Sequence, residues 1–279
     1  MGSLSPFAGQ IEPCIFTDEV AEEFEEACRL CAENGATTVE LRGRLFGTDV
    51  TGLTDDHLAR VQATLARYGL RVAVIASPFG KCHHNRPEEV ARHLSLFPRL
   101  VKLARALGTP LIRGFAFWNP EGGTDADRPD LAAVLPAIVE FLRPVARQAE
   151  AAGVTLCLET EGATMTGTGR ECRQVIDAVG SPALGVAWDV RNALMCGEMP
   201  LPEGYEPVRG LVRHVHVKPN REQSLRTVGD TRISYAEVFE ALLADGYRGA
   251  ASIEHWGSPE QMLAGLRELS DMLRRRRSG

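Results

Sequence analysis

The chain has no surplus of positive charge: 31 Lys and Arg stand against 37 Asp and Glu among 279 residues, a formal net charge of −6. An acidic chain without a basic stripe is a poor partner for nucleic acid. No apolar run approaches the ~20 residues that a membrane span needs. The opening MGSLSPFAGQ has no charged segment leading into an apolar one, so no secretory leader is expected. Low-complexity stretches and linkers are missing as well. The seven cysteines are odd in number and scattered, which fits free thiols in a reducing cytoplasm better than a disulfide framework. What is present is ordinary for a globular chain, 44% apolar and 24% charged, enough for a large core.

Eight short apolar or β-branched runs recur along the chain, at 11–16, 37–41, 70–76, 110–116, 154–159, 183–189, 213–218 and 249–254. Each has the length of a strand, and most are apolar enough to be covered on both faces. Between them the spacing turns helical. Helices are expected at 18–34, 54–68, 87–107, 128–152, 169–179, 234–245 and 258–277, the first with Val20, Phe24, Ala27 and Cys31 on one stripe. Gly35, Gly69, Gly108, Gly153, Gly180 and Gly246 stand where these helices should stop. Between runs six and seven, Pro200, Pro202 and Pro207 leave only short turns near 192–198 and 205–211.

The units repeat every ~34 residues, and parallel strands need helical crossovers. Eight such units predict one (β/α)₈ TIM barrel over 1–279, with 1–10 a flexible leading segment. A doubly wound sheet is the alternative; it favours a glycine-rich first turn, whereas TDEVAE follows the first run. The basic run 274–277 suits the last turn of a solvated helix.

Barrel chemistry gathers at the C-terminal ends of strands. Glu40, Glu159, Asp189, His216, Lys218 and Glu254 stand there. Buried carboxylates so close repel one another unless they are protonated or share a cation. Three carboxylates, Glu159, Asp189 and Glu254, with the imidazole of His216, make an oxygen-rich site for one divalent ion, Mn²⁺ first, with Mg²⁺, Co²⁺ or Zn²⁺ as alternatives. His214, His216 and Lys218 alternate onto one face of their strand. His216 is nearer the active end, and His214 lies a layer deeper in a supporting place.

LETE (158–161), VAWDVRN (186–192), HVHVKP (214–219) and SIEHW (252–256), in this order, resemble the xylose isomerase-like barrel superfamily. That group includes sugar phosphate isomerases and epimerases, ketose 3-epimerases, inosose dehydratases and endonuclease IV. The resemblance implies metal ligands at Glu159, Asp189, His216 and Glu254, with Glu159 and Glu254 doubling as the acid/base pair. It implies a small carbohydrate substrate and a homo-oligomer of unspecified size. Many relatives carry a histidine where Asn192 stands and an aspartate where Pro219 stands.

A cation between two glutamates suits proton abstraction beside a carbonyl, through an enediolate, and hence isomerisation or epimerisation. Loss of a β-hydroxyl from the same intermediate would make a dehydratase or lyase. An endonuclease needs more histidines than the seven here, and a non-catalytic sugar-binding barrel has no need of so costly a charge cluster. Substrate contacts are expected from Glu161, Lys218, Asn192, Glu40, His255 and Trp118. Glu40 is placed inward at the barrel mouth and Arg42 on the opposite face. Arg113 is assigned a structural role. Lys81 and Cys82-His83-His84 form a polar loop on the active face, and Trp256 closes the barrel or packs on a sugar. Cys28 and Cys31 are buried hydrophobes rather than a zinc or redox pair, and His57 and His93 are placed on the surface.

Overall fold

The structure, a computed structural model, describes residues 11–119, 128–219 and 232–275. The segment 1–10 and positions 276–277 of the last basic run lie outside the described residues. Eight parallel strands form one sheet: β1 (Glu12–Ile15), β2 (Thr38–Leu41), β3 (Arg71–Ala76), β4 (Leu111–Gly114), β5 (Thr155–Glu159), β6 (Leu184–Asp189), β7 (Val212–Val217) and β8 (Ala250–Ile253). Their order is β1-β8-β7-β6-β5-β4-β3-β2, and a parallel bridge from Phe16 to Glu40 joins the two ends. The chain is therefore a (β/α)₈ TIM barrel.

The crossovers are α1 (Phe24–Glu33), α2 (Asp55–Arg67), α3 (Pro87–Ala106), α4 (Leu131–Ala152), α5 (Gly169–Val179), the short α6 (Val190–Met195) and α7 (Tyr205–Val208), α8 (Tyr235–Ala244), and α9 (Pro259–Arg275), which packs on β1 and β8. All six glycines expected to end helices have positive φ, from 65° at Gly69 to 91° at Gly35. Helix gives way to strand there because a side chain would strain the left-handed turn.

The core is the layer between sheet and helices, where Phe97, Leu100, Ile138, Leu142, Val175 and Leu266 are shut from solvent or nearly so. Each such side chain contributes about 1.5–3 kcal/mol by leaving water. That layer stabilises the barrel and leaves its inside free to carry charge. All seven cysteines are buried, and burial pushes the thiols of Cys14, Cys28, Cys82 and Cys157 up to about 12. Among the described residues no helix is long and apolar enough to cross a membrane.

Two expectations change. The first helix does not begin at Asp18: Thr17–Glu19 form a 3₁₀ turn and α1 starts at Phe24. Asp18 and Glu19 are instead held at the barrel rim by Arg42, and this tertiary pull overrides local helix preference. His93 is 9% exposed rather than on the surface, and its Nδ1 accepts from the backbone N–H of Gly80 in the loop after β3. His57 is half-buried in a capping box with Thr54 at the start of α2.

Candidate metal centre

Four strands bring one candidate ligand each to the same place. Glu159 ends β5, Asp189 ends β6, His216 is the penultimate residue of β7, and Glu254 follows β8. Sheet register sets Asp189 beside His216, and His216 beside Ser252. Glu159, Asp189, His216 and Glu254 are all at most 3% exposed.

Each ligand fixes one polar atom on a protein partner and turns the other inward. Arg113 Nη1 donates to Glu159 Oε2 at 2.6 Å, and Arg42 Nη1 to Glu254 Oε1 at 3.2 Å. The backbone N–H of Asn192 donates to Asp189 Oδ1 at 2.8 Å, and His216 Nε2 lies 3.3 Å from Glu40 Oε1. The inward atoms meet around His216 Nδ1: Glu159 Oε1 at 3.3 Å, Glu254 Oε2 at 3.6 Å and Asp189 Oδ2 at 3.9 Å. One ligand atom from each of the four lies within 4.8 Å of the others. Asp189 Oδ2 and Glu254 Oε2 have the Lys218 ammonium as their cationic neighbour, at 2.6 and 3.4 Å.

Charge makes the same point. The carboxylates of Glu40, Glu159, Asp189 and Glu254 are buried with two buried cations, Arg113 and Lys218. Arg42 is already shared with Asp18 and Glu19. With neutral imidazoles the deficit is two charges, and uncompensated ions in such a place cost several kcal/mol each. A divalent cation matches that deficit, and three oxygens with one nitrogen suit Mg²⁺, Mn²⁺ or a neighbouring transition ion. The residues therefore fit a metal.

Without an ion the protein's own groups share the strain. Burial opposes charge on His216, yet Glu40, Glu159 and Glu254 raise its pKa well above the usual value. Burial would lift Glu159 and Glu254, but Arg113 and His216 hold the first well below the carboxylate range, and His216 and Lys218 lower the second. Asp189 goes up, because burial outweighs the pull of Lys218. The Lys218 ammonium lies 2.6 Å from Asp189 Oδ2 and 3.4 Å from Glu254 Oε2, and donates to Asn192 Oδ1 at 2.9 Å.

A cavity of about 390 Å³ opens above the ligands, lined among others by Arg42, Lys81, Arg113, Glu161, Lys218 and His255. Of the expected substrate contacts, Glu161, Lys218 and His255 lie on its wall. Asn192 does not; it steadies Lys218. Trp118 is half-buried and also off the wall, with the Lys81 ammonium 5.1 Å from its ring.

Two placements correct the sequence reading. Glu40 is not at the mouth: it is 0% exposed beneath the ligands, bound to His214 and His216 and closed to a substrate in the cavity. Arg42 stands two residues on, so strand alternation gives it the same side as Glu40, and it turns into the cavity onto Glu254. In the loop after β3, expected to be polar, His83 pairs with Glu89 at 2.9 Å, which anchors the start of α3. Sequence reasoning missed Glu19, which accepts from the His255 backbone N–H at 2.7 Å. It also missed the Arg113–Glu159 pair, and no local motif announces a partner 46 residues away. Trp256 is buried and donates to the carbonyl of Val217, so it closes the barrel.

A profile of the xylose isomerase-like TIM barrel family matches residues 28–276. No curated protein matches the chain. Several solved structures do. The 3-keto-D-glucoside 4-epimerase of E. coli is 19% identical over 94% of this chain and 99% of its own, with a TM-score of 0.72. The probable 3-DHS dehydratase of petrobactin synthesis in Bacillus anthracis is 18% identical over 93% of this chain and 99% of its own, also at 0.72. A xylose isomerase-like TIM barrel protein of Mycobacterium smegmatis, in complex with magnesium, is 20% identical over 90% of this chain and 88% of its own, at 0.70. At these identities the likeness is one of fold. The family match is what assigns the chain: it belongs to the xylose isomerase-like TIM barrel family.

Proposed function

We propose that this member of the xylose isomerase-like TIM barrel family is a divalent-metal-dependent isomerase or epimerase of a small sugar or keto-sugar derivative. The observation that carries the reading is a pair of glutamates, Glu159 and Glu254, on strands separated by β6 and β7, flanking one imidazole under one cavity. Glu159, Asp189, His216 and Glu254 would hold the ion. When bound, it would draw charge from a substrate carbonyl and the neighbouring hydroxyl, which acidifies the carbon between them.

The protein's own groups do the rest. Both glutamates start ionised, held so by their cationic neighbours. One carboxylate takes the proton from the carbon beside the carbonyl. The other first takes up a proton from solvent through the cavity and then delivers it to the opposite face for epimerisation, or to the adjacent carbon for isomerisation, and the first afterwards releases its proton to solvent. Arg113 and Arg42 keep each carboxylate turned so that its inward oxygen meets the substrate side. The Lys218 ammonium, steadied by Asn192, balances charge on a substrate oxygen. Glu161, paired with Lys81 at 3.3 Å, and His255 meet hydroxyls at the mouth. The buried thiols of Cys14, Cys28, Cys31, Cys82, Cys157 and Cys172 support a reducing, cytoplasmic setting.

A dehydratase or lyase is the second reading, favoured by the likeness to the probable dehydratase; it shares the first proton abstraction. Candidate ketoses incubated with metal-loaded protein in D₂O and followed by NMR separate the two. Deuterium in a retained carbon skeleton supports the epimerase or isomerase, and loss of water or a fragment supports the lyase. No exchange and no turnover across the ketose series would defeat both.

A further inference from the structure

Beneath the four ligands lies an enclosed polar layer that the proposed proton transfers do not use. Glu40, His214, His216 and Ser252 are all 0% exposed. Glu40 Oε2 lies 2.8 Å from His214 Nε2, and its Oε1 3.3 Å from His216 Nε2. Ser252 Oγ is 3.0 Å from the same nitrogen of His214, while His214 Nδ1 has no hydrogen-bond partner. Glu40 reaches this place from β2, which the sheet order separates from β7 by β1 and β8. Its backbone is anchored by the bridge to Phe16, at a shift in the β2–β3 register.

An ionised carboxylate only accepts hydrogen bonds. Two nitrogens facing one carboxylate therefore each need a hydrogen, and a neutral imidazole with hydrogen on Nε2 carries its lone pair on Nδ1. In His214 this leaves a bare lone pair at the unpartnered Nδ1, which costs less than an orphaned buried N–H. In His216 it aims the lone pair at Glu159 Oε1, Asp189 Oδ2 and Glu254 Oε2, where a cation would sit. The other tautomer would point an N–H at that place and leave Nε2 and Glu40 Oε1 as two electron-rich atoms in contact.

We propose that Glu40 is a positioning residue of the metal centre: by accepting from both Nε2–H groups, it decides which nitrogen of His216 meets the ion. His214 holds the second oxygen of Glu40, so the carboxylate stays under His216. The inference rests on the metal reading above and extends it to a residue that touches neither ion nor substrate.

The test is calorimetric titration of chelator-treated full-length protein with Mn²⁺, for wild type, Glu40→Gln and Glu40→Met, with a urea midpoint for each. Gln accepts one N–H of the two and Met neither. The expected loss of Mn²⁺ affinity is roughly tenfold for Gln and approaches 100-fold for Met. A purely structural Glu40 would lower the urea midpoint and leave affinity alone. Affinities of both variants within about twofold of wild type would overturn the proposal. ¹⁵N-histidine NMR of the Mg²⁺-loaded wild type reads the tautomers without any variant: Nε2–H on His214 and His216 is expected, and Nδ1–H on His216 would also overturn it. Failure of the wild type to bind Mn²⁺ is a separate outcome, which defeats the metal reading itself and Glu40's role with it.

Discussion

Glu159 and Glu254 are equivalent as letters, an acid at the end of a strand, but they are held in different surroundings. Glu159 pairs with one arginine, Arg113, and both side chains are at most 7% exposed. Glu254 pairs with Arg42, which is 30% exposed and also bonds Asp18 and Glu19. Beside Glu254 stands His255, 59% exposed and at a φ of 57°. Both carboxylates are 3% exposed, but Glu159 is tied to a buried partner of its own. The other belongs to a network that reaches solvent, where a proton taken from substrate can be exchanged. The asymmetry suits a pair in which the two members take different turns in one reaction.

Substitutions can break this contrast or sharpen it. The largest effect is expected from the glutamates themselves: Glu159→Gln or Glu254→Gln should leave less than a few per cent of turnover in a steady-state assay. A variant that keeps more is not an acid/base group. Next comes Arg113→Met, which strands a buried carboxylate. Urea unfolding of the metal-free protein should show a loss of about 3–5 kcal/mol, and saturating Mn²⁺ should restore part of it. Metal alone should stabilise the wild type by about 2.7 kcal/mol at a hundred times its dissociation constant, read as a rise in Tm. Arg42→Met removes a half-exposed partner and should cost only about 1 kcal/mol. Equal losses for the two arginine variants would erase the contrast between wet and dry partners. The smallest response belongs to the thiols. With burial raising Cys28 and Cys82 to about 12, a thiol reagent at pH 8 should label the native protein slowly, and only as it opens.

Much of this was legible in the sequence, and the exceptions share a cause. Strand and helix periodicity, with a glycine after each helix, gave the barrel because both signals are local. Ligand candidates could be named because alternation fixes the face of a strand and barrel topology fixes which end carries chemistry. Depth is not local. Glu40 sits below the ligands rather than at the mouth because a register shift and its partners His214 and His216, more than 170 residues away, set its level. Arg42 and Arg113 became visible as partners only when strands distant in sequence were brought together. Residues 18–23 read as helix until the rim claimed Asp18 and Glu19. His93 was misplaced for the same reason, its ring being spent on a loop from β3.

The most direct measurement is a Mn²⁺ titration of chelator-treated protein, wild type beside Asp189→Asn and His216→Ala, with folding checked by circular dichroism. The expected result is one ion per chain for the wild type and affinity at least 100-fold weaker in each folded variant. No ion bound by the wild type, or undiminished binding by either variant, would contradict the four-ligand centre.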